Sequence, residues 1–229
     1  MRTKLAILGI FAGLVICGPA AGLSLSDLSN QDATQGLKDA LIQGSGKAVS
    51  QLSLPNGFLG NPKVKIPLPD SIKRVESGLR MIGMGKQADE LVTSMNRAAE
   101  MAVAEATPLL VSAVKSMSVS DAKGILTGGD DAATQYFKRT TSAQLTQKFL
   151  PIVKETTAKV QLAQQYNQLA GQAAQFGLVR KEDANIDEYV TRKALDGLYL
   201  VIAEQERAIR RDPMGAATSI AKKVFGAVQ

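Results

Sequence analysis

The sequence predicts an all-α protein: an irregular helical bundle of about six to eight helices, with a proline-rich extended arm near residues 55–69. Three observations carry this expectation. Apolar residues recur at steps of three and four through most of the chain, the period of a helix with one buried face. The composition is 45% hydrophobic but only 4% aromatic, so a core must be built from aliphatic side chains packed closely. Four of the eight prolines fall at 55, 62, 67 and 69, which confines the main break in the helical pattern to one segment.

The N-terminus reads as an address. Arg2 and Lys4 precede an apolar run from Leu5 to Ile16, followed by the small residues Gly18, Ala20, Ala21 and Gly22. A positive start, an apolar run too short to span a bilayer and a small-residue cleavage site make a secretory signal peptide. Residues 1–21 are read as that signal, cleaved within 20–22, and residues 22–229 as a single helical domain delivered to the periplasm. Cys17 stands where a lipoprotein carries its acylated cysteine. The bulky Ile16 before it disfavours lipidation, so a lipoprotein is the secondary reading.

From Ser29, SNQDATQGLKDALIQGSGKAVSQLS reads as a helix that Gly44 and Gly46 should interrupt or weaken; a helical glycine costs about 1 kcal/mol relative to alanine. In the arm, Asn56-Gly57 signals a turn and Val64-Lys65-Ile66 alternates as an extended piece, which either packs over the helices, the preferred reading, or reaches a partner. Asp70 or Ser71 caps a short helix ending at Gly83. Gly85 then opens a longer one, where Met84, Ala88, Leu91, Met95, Ala98 and Ala102 form the seam of closely packed helices. Thr107-Pro108 supplies a cap and a first-turn proline, and Leu110, Val114 and Met117 share the stripe that follows. Ser120 caps a brief helix closed by Gly128-Gly129, and Asp130-Asp131 restart helix through Tyr136 and Phe137.

Residues 142–176 read as one long helical region bent at Pro151. Its Gln- and Thr-rich surface reads as a solvated face. Leu178 to Ile186 form a charged connector. Asp187 begins the last long helix, with Val190, Ala194, Leu198, Ile202 and Ile209 on its apolar side and the ion pairs Glu206–Arg210 and Glu204–Arg207 on its surface. Asp212-Pro213 stops it ahead of a short amphipathic tail containing Lys222-Lys223-Val224-Phe225.

Several stretches, in order, carry a resemblance: GLKDAL from Gly36, GFLGNPKVKIPLP from Gly57, MNRAAEMA from Met95, DDAATQYF from Asp130, DEYVTRKALDGL from Asp187 and AEQERAIRRDP from Ala203. Together they resemble DUF4197, a family of exported helical proteins of Gram-negative bacteria. The resemblance implies an exported, mainly helical domain. It brings no activity, cofactor or catalytic residue that could be carried over.

The residues also limit the chemistry. The chain has no histidine and one cysteine, so once Cys17 leaves with the signal neither imidazole nor thiolate remains for nucleophilic catalysis. Gly83-Met84-Gly85-Lys86 hints at a phosphate loop, but Arg80 stands at the first glycine position and Gln87 replaces the Ser or Thr; a helix end followed by a helix start explains it. Asp183-x-Asn185-x-Asp187 matches the first ligands of a calcium loop. Glu188 then replaces the required glycine and Ala194 the bidentate glutamate, so the residues read as a helix-capping connector. No metal and no cofactor are expected. The formal charge falls from +6 to +4 when Arg2 and Lys4 are removed, too little to argue for nucleic acid.

One polar group stands out. Asn96, Arg97 and Glu100 lie within one turn beside the apolar seam, and they read as a buried network fixing helix register or as part of a ligand pocket. Glu206 and Arg210 are their expected partners. The leading functional reading is a periplasmic binding or interaction module for an envelope protein or lipid. The alternative is a membrane-surface protein using its tail or a lipid on Cys17, with weak membrane contact. A carboxylate-based hydrolase ranks third, since such clefts usually offer sugars an aromatic platform and this chain has no tryptophan.

Overall fold

The structure, a computed structural model, describes residues 30–73, 76–81, 83 and 85–212. The signal segment with Cys17, Met84 and the tail from 213 lie outside the described residues. Among the described residues the helices are α1 (Asn30–Leu52), α2 (Asp70–Lys73), α3 (Glu76–Met81), α4 (Gly85–Ala104), α5 (Thr107–Lys115), α6 (Val119–Leu126), α7 (Ala132–Thr157), α8 (Gln161–Gln175) and α9 (Ile186–Arg211). A 3-10 turn, Lys181–Asp183, precedes α9. The chain is an all-α bundle.

The centre is made by α4, α7 and α9, each packed on the other two. α1 lies against α9, α5 and α6 close the bundle between α1 and α7, and α8 rests on α4 and α9. The α4 seam explains the tight packing: Ala88, Leu91, Met95, Ala98, Ala99 and Ala102 are all fully buried. Alanines let helix axes approach, while Leu91 and Met95 each contribute about 1.5–3 kcal/mol by leaving water. On α9, Val190, Ala194, Leu198 and Ile202 face inward as the spacing predicts, and Ile209 is partly buried against the core.

α1 runs unbroken through Gly44 and Gly46. A side chain at Gly44 would sit 3.5 Å from Ile209 Cδ1, so the glycine lies where α9 crosses closely. Packing of Leu41, Ala48 and Leu52 against the bundle outweighs the glycine penalty.

Other helix boundaries also differ from the sequence expectation. Thr107 is the first residue of α5 and not its cap, which falls at Ala106. Ser118, not Ser120, caps α6 in a reciprocal capping box with Asp121. The Ser118 hydrogen bonds hold the Asp121 carboxyl below the usual carboxylate range. α7 continues through Pro151, and the long helical region is instead divided at residues 158–160 into α7 and α8. Thr141, Thr146 and Thr157 bond back to carbonyls four residues earlier, so their hydroxyls are satisfied within the helix.

Residues 53–69 carry no helix. Val64, Ile66 and Leu68 are buried and Lys65 and Pro67 exposed, the alternation of an extended chain on a core. The turn that starts the segment needs its small residues. Asn56 adopts a left-handed φ of 69°, which asparagine tolerates. A Cβ on Gly57 would lie 2.3 Å from Leu52 O. Phe58, fully buried, inserts beside α9 at Gly197, where an added Cβ would lie 2.7 Å from Phe58 Cε1.

Candidate functional site

The polar residues singled out on α4 hold the arm by its backbone. Asn96 is fully buried. Its Oδ1 accepts from Ile66 N at 2.8 Å, and its Nδ2 donates to Ile66 O at 2.9 Å and Val92 O at 2.8 Å. Four residues on, Glu100 Oε1 accepts from Phe58 N and Leu59 N, both at 3.1 Å. Arg97 donates to Glu100 Oε2 at 2.6 Å and to Asn56 Oδ1 at 2.9 Å. The side-chain amide of Asn96 pairs with Ile66 as a neighbouring strand would, and Glu100 accepts from the buried Phe58 N–H and the partly buried Leu59 N–H of the turn.

Glu206 and Arg210 serve a different junction. Asp131 provides no side-chain cap to α7. Glu206 reaches across from α9 and does so: its carboxylate accepts from Ala133 N, Thr134 N and Thr134 Oγ1, each at 2.9 Å. Arg210 pairs with Glu206 at 3.0 Å and donates to Ile125 O at 2.9 Å, tying α6 into the same corner. The expected exposed ion pair is therefore mostly buried. Glu204 forms its ion pair with Lys63 of the arm at 2.7 Å.

A second polar cluster, not foreseen from sequence, joins α2, α8 and the start of α9. Tyr166 donates to Asp183 O and meets Ser71 Oγ at 2.7 Å. Asp183 is buried and gripped by Arg180 and by Arg192 at 2.6 Å. Arg192 also stacks over Tyr189 at 5.6 Å, and Tyr189 donates to Pro67 O at 3.1 Å. Asn185 caps α9 by accepting from Asp187 N and Glu188 N, while Asp187 accepts from Thr157 Oγ1. The Asp-x-Asn-x-Asp residues thus spend their oxygens on arginines, a helix start and a hydroxyl. Among the described residues no three His, Cys, Asp or Glu side chains are grouped to hold a metal ion.

Between these anchors lies a surface cleft of about 620 Å³, lined by Asp70, Ser71 and Lys73 of α2 and by Gly177–Arg180 and Asp183 of the α8–α9 connection. Leu178 on its rim is 72% exposed. A neighbouring cavity of about 390 Å³ shares Lys73 and reaches Lys65, Glu76 and Arg80. There Arg80 bridges Glu76 at 2.8 Å and Asp89 at 2.7 Å, which holds the Asp89 carboxyl below its ordinary value. The charged side chains around both cavities largely pair with one another. What they leave for a ligand is an apolar rim with cationic groups at its edge.

All four tyrosines of the chain sit at helix junctions, and burial pushes every phenol up, Tyr189 to about 12. The folded state holds neutral phenols, whereas the unfolded chain releases their protons near the ordinary value of about 10. This contribution to stability is complete below about pH 10 and is lost as pH rises toward about 12. In an alkaline titration, phenolate absorbance should appear together with loss of helical circular dichroism in that window. Gradual ionisation near pH 10 with helicity intact would contradict the arrangement.

The model of a family described as "Protein of unknown function (DUF4197)" matches residues 27–226. No curated protein and no solved structure matches the chain.

Proposed function

We propose that this chain, which belongs to the DUF4197 family of proteins of unknown function, is an exported binding module. On this reading residues 1–21 deliver it to the periplasm, and it engages an envelope component at the cleft between α2 and the α8–α9 connection. The observation that carries the proposal is that cleft of about 620 Å³. Its exposed Leu178 and half-buried Val179 lie beside Lys73 and Arg180, on a base fixed by Tyr166, Asp183 and Arg192. A rigid base with a small apolar rim suits recognition. Export is supported by the charge, length and small-residue pattern of the N-terminus.

The full chain, expressed in a Gram-negative host, should be recovered from the periplasm with its new N-terminus within residues 21–23. Native mass spectrometry of that protein should show a co-purifying species. Leu178→Asp should reduce that species at least about tenfold, which corresponds to about 1.4 kcal/mol, without changing helicity. Cytoplasmic retention would overturn the export reading. A bare protein, or a species indifferent to Leu178→Asp, would overturn the cleft.

A further inference from the structure

α8 is set apart by what it lacks. Residues 160–179 contain no Asp, Glu, Lys or Arg in a chain that is 21% charged. Its inner face, Ala163, Tyr166 and Ala170, is buried. Its outer face exposes all six of its glutamines. Along one edge of that face Leu169 is 66% exposed and Phe176, just past the helix end, 80%. The two are seven residues apart and so stand in line two turns from each other. Leu162, seven residues earlier, continues the line and packs against the core.

We infer that this face pairs with α8 of a second copy of the chain, antiparallel about a two-fold axis near Gln172. Three properties of the face select a second copy over other occupants. With no charge present, two identical faces meet without like-charge repulsion. Each glutamine amide both donates and accepts, so a Gln-lined face is complementary to itself. An axis near Gln172 sets Leu169 of each copy against Phe176 of the other, the reciprocal contact that two-fold symmetry requires. Charge depletion with an aromatic anchor is also the composition of interface cores. A lipid surface would favour cations among the apolar side chains, and this face has none. A helix of 15 residues is only about 22 Å long, so the dimer belongs to the small, weakly associating class of interface. The inference uses neither Leu178 nor the cleft and stands or falls separately from the binding proposal.

The test is sedimentation equilibrium of protein purified after expression of the full chain, from about 1 to about 200 µM, the range suited to a small interface. The expected result is a monomer–dimer equilibrium. Leu169→Lys with Phe176→Lys should raise its dissociation constant at least about 30-fold, while Leu54→Lys, at an exposed leucine elsewhere, should leave it unchanged. Gln172→Cys should give a disulfide-linked dimer on mild oxidation, and the parent protein, whose one cysteine is Cys17, should not. A wild type that stays monomeric throughout would overturn the inference, and so would a dimer indifferent to the double lysine variant or equally weakened by Leu54→Lys. A monomer that sediments with anionic vesicles through Leu169 and Phe176 would overturn it in favour of a lipid surface.

Discussion

Glu206→Ala is expected to destabilise the fold by about 3–5 kcal/mol, the range for breaking a buried ion pair from one side. Glu206 is 6% exposed. It accepts from two backbone N–H groups at the start of α7, from the Thr134 hydroxyl and from Arg210. Alanine leaves the N–H groups of Ala133 and Thr134 without the Glu206 carboxylate and removes that carboxylate from Arg210. Glu206→Gln should fall between, because its amide keeps one acceptor but turns N–H toward N–H and loses the charge that favours a helix N-terminus. Thr134→Ala removes only the hydroxyl contact and should cost about 1 kcal/mol. Urea unfolding followed by circular dichroism, with unchanged slope, measures all three. A loss below about 1 kcal/mol for Glu206→Ala would mean that α7 is capped by something else.

The second large effect concerns Asn96. Asn96→Ala is expected to cost about 2–4 kcal/mol, since it leaves both the N–H and the C=O of Ile66 buried without a partner. Asn96→Asp keeps the acceptor for Ile66 N but sets a carboxylate against Ile66 O, and it should be no better tolerated. Glu100→Ala acts on the same segment by freeing Phe58 N and Leu59 N, so the two substitutions share an outcome and should not add fully. The readout that separates arm release from general instability is limited trypsin digestion at Lys63 and Lys65, both exposed. Cleavage there should accelerate under native conditions before cleavage elsewhere. Uniform acceleration across the chain would argue that Asn96 supports the bundle as a whole.

The periodic parts of the fold are legible because their cause is local. The α4 seam and the α9 stripe can be read directly from residue spacing, and their described residues are buried, Ile209 partly so. The helix boundaries are harder because tertiary packing competes with local signals. Gly44 and Pro151 are strong breakers in isolation, yet both sit inside helices whose flanks are buried. The polar residues on α4 and α9 are recognisable as buried groups, but their partners lie far along the chain: Asn96 bonds thirty residues back and Glu206 more than seventy. No spacing rule reaches that far. The charge-free run over 160–179 is visible as composition, whereas which of its glutamines face outward needs the helix to be placed.

The cap on α7 has a consequence for the order of folding. The acceptor for Ala133 and Thr134 belongs to α9, the last described helix of the chain. α1 also packs chiefly against that helix, and α7 packs against it and α4 to a similar extent. A chain synthesised from its N-terminus therefore emerges with its central partner missing, and contacts this distant in sequence close late. Until α9 arrives, the faces of α1, α4 and α7 that it covers have no partner, although these helices already pack on one another and on α5 and α6. A polypeptide still short of α9 therefore has an open centre.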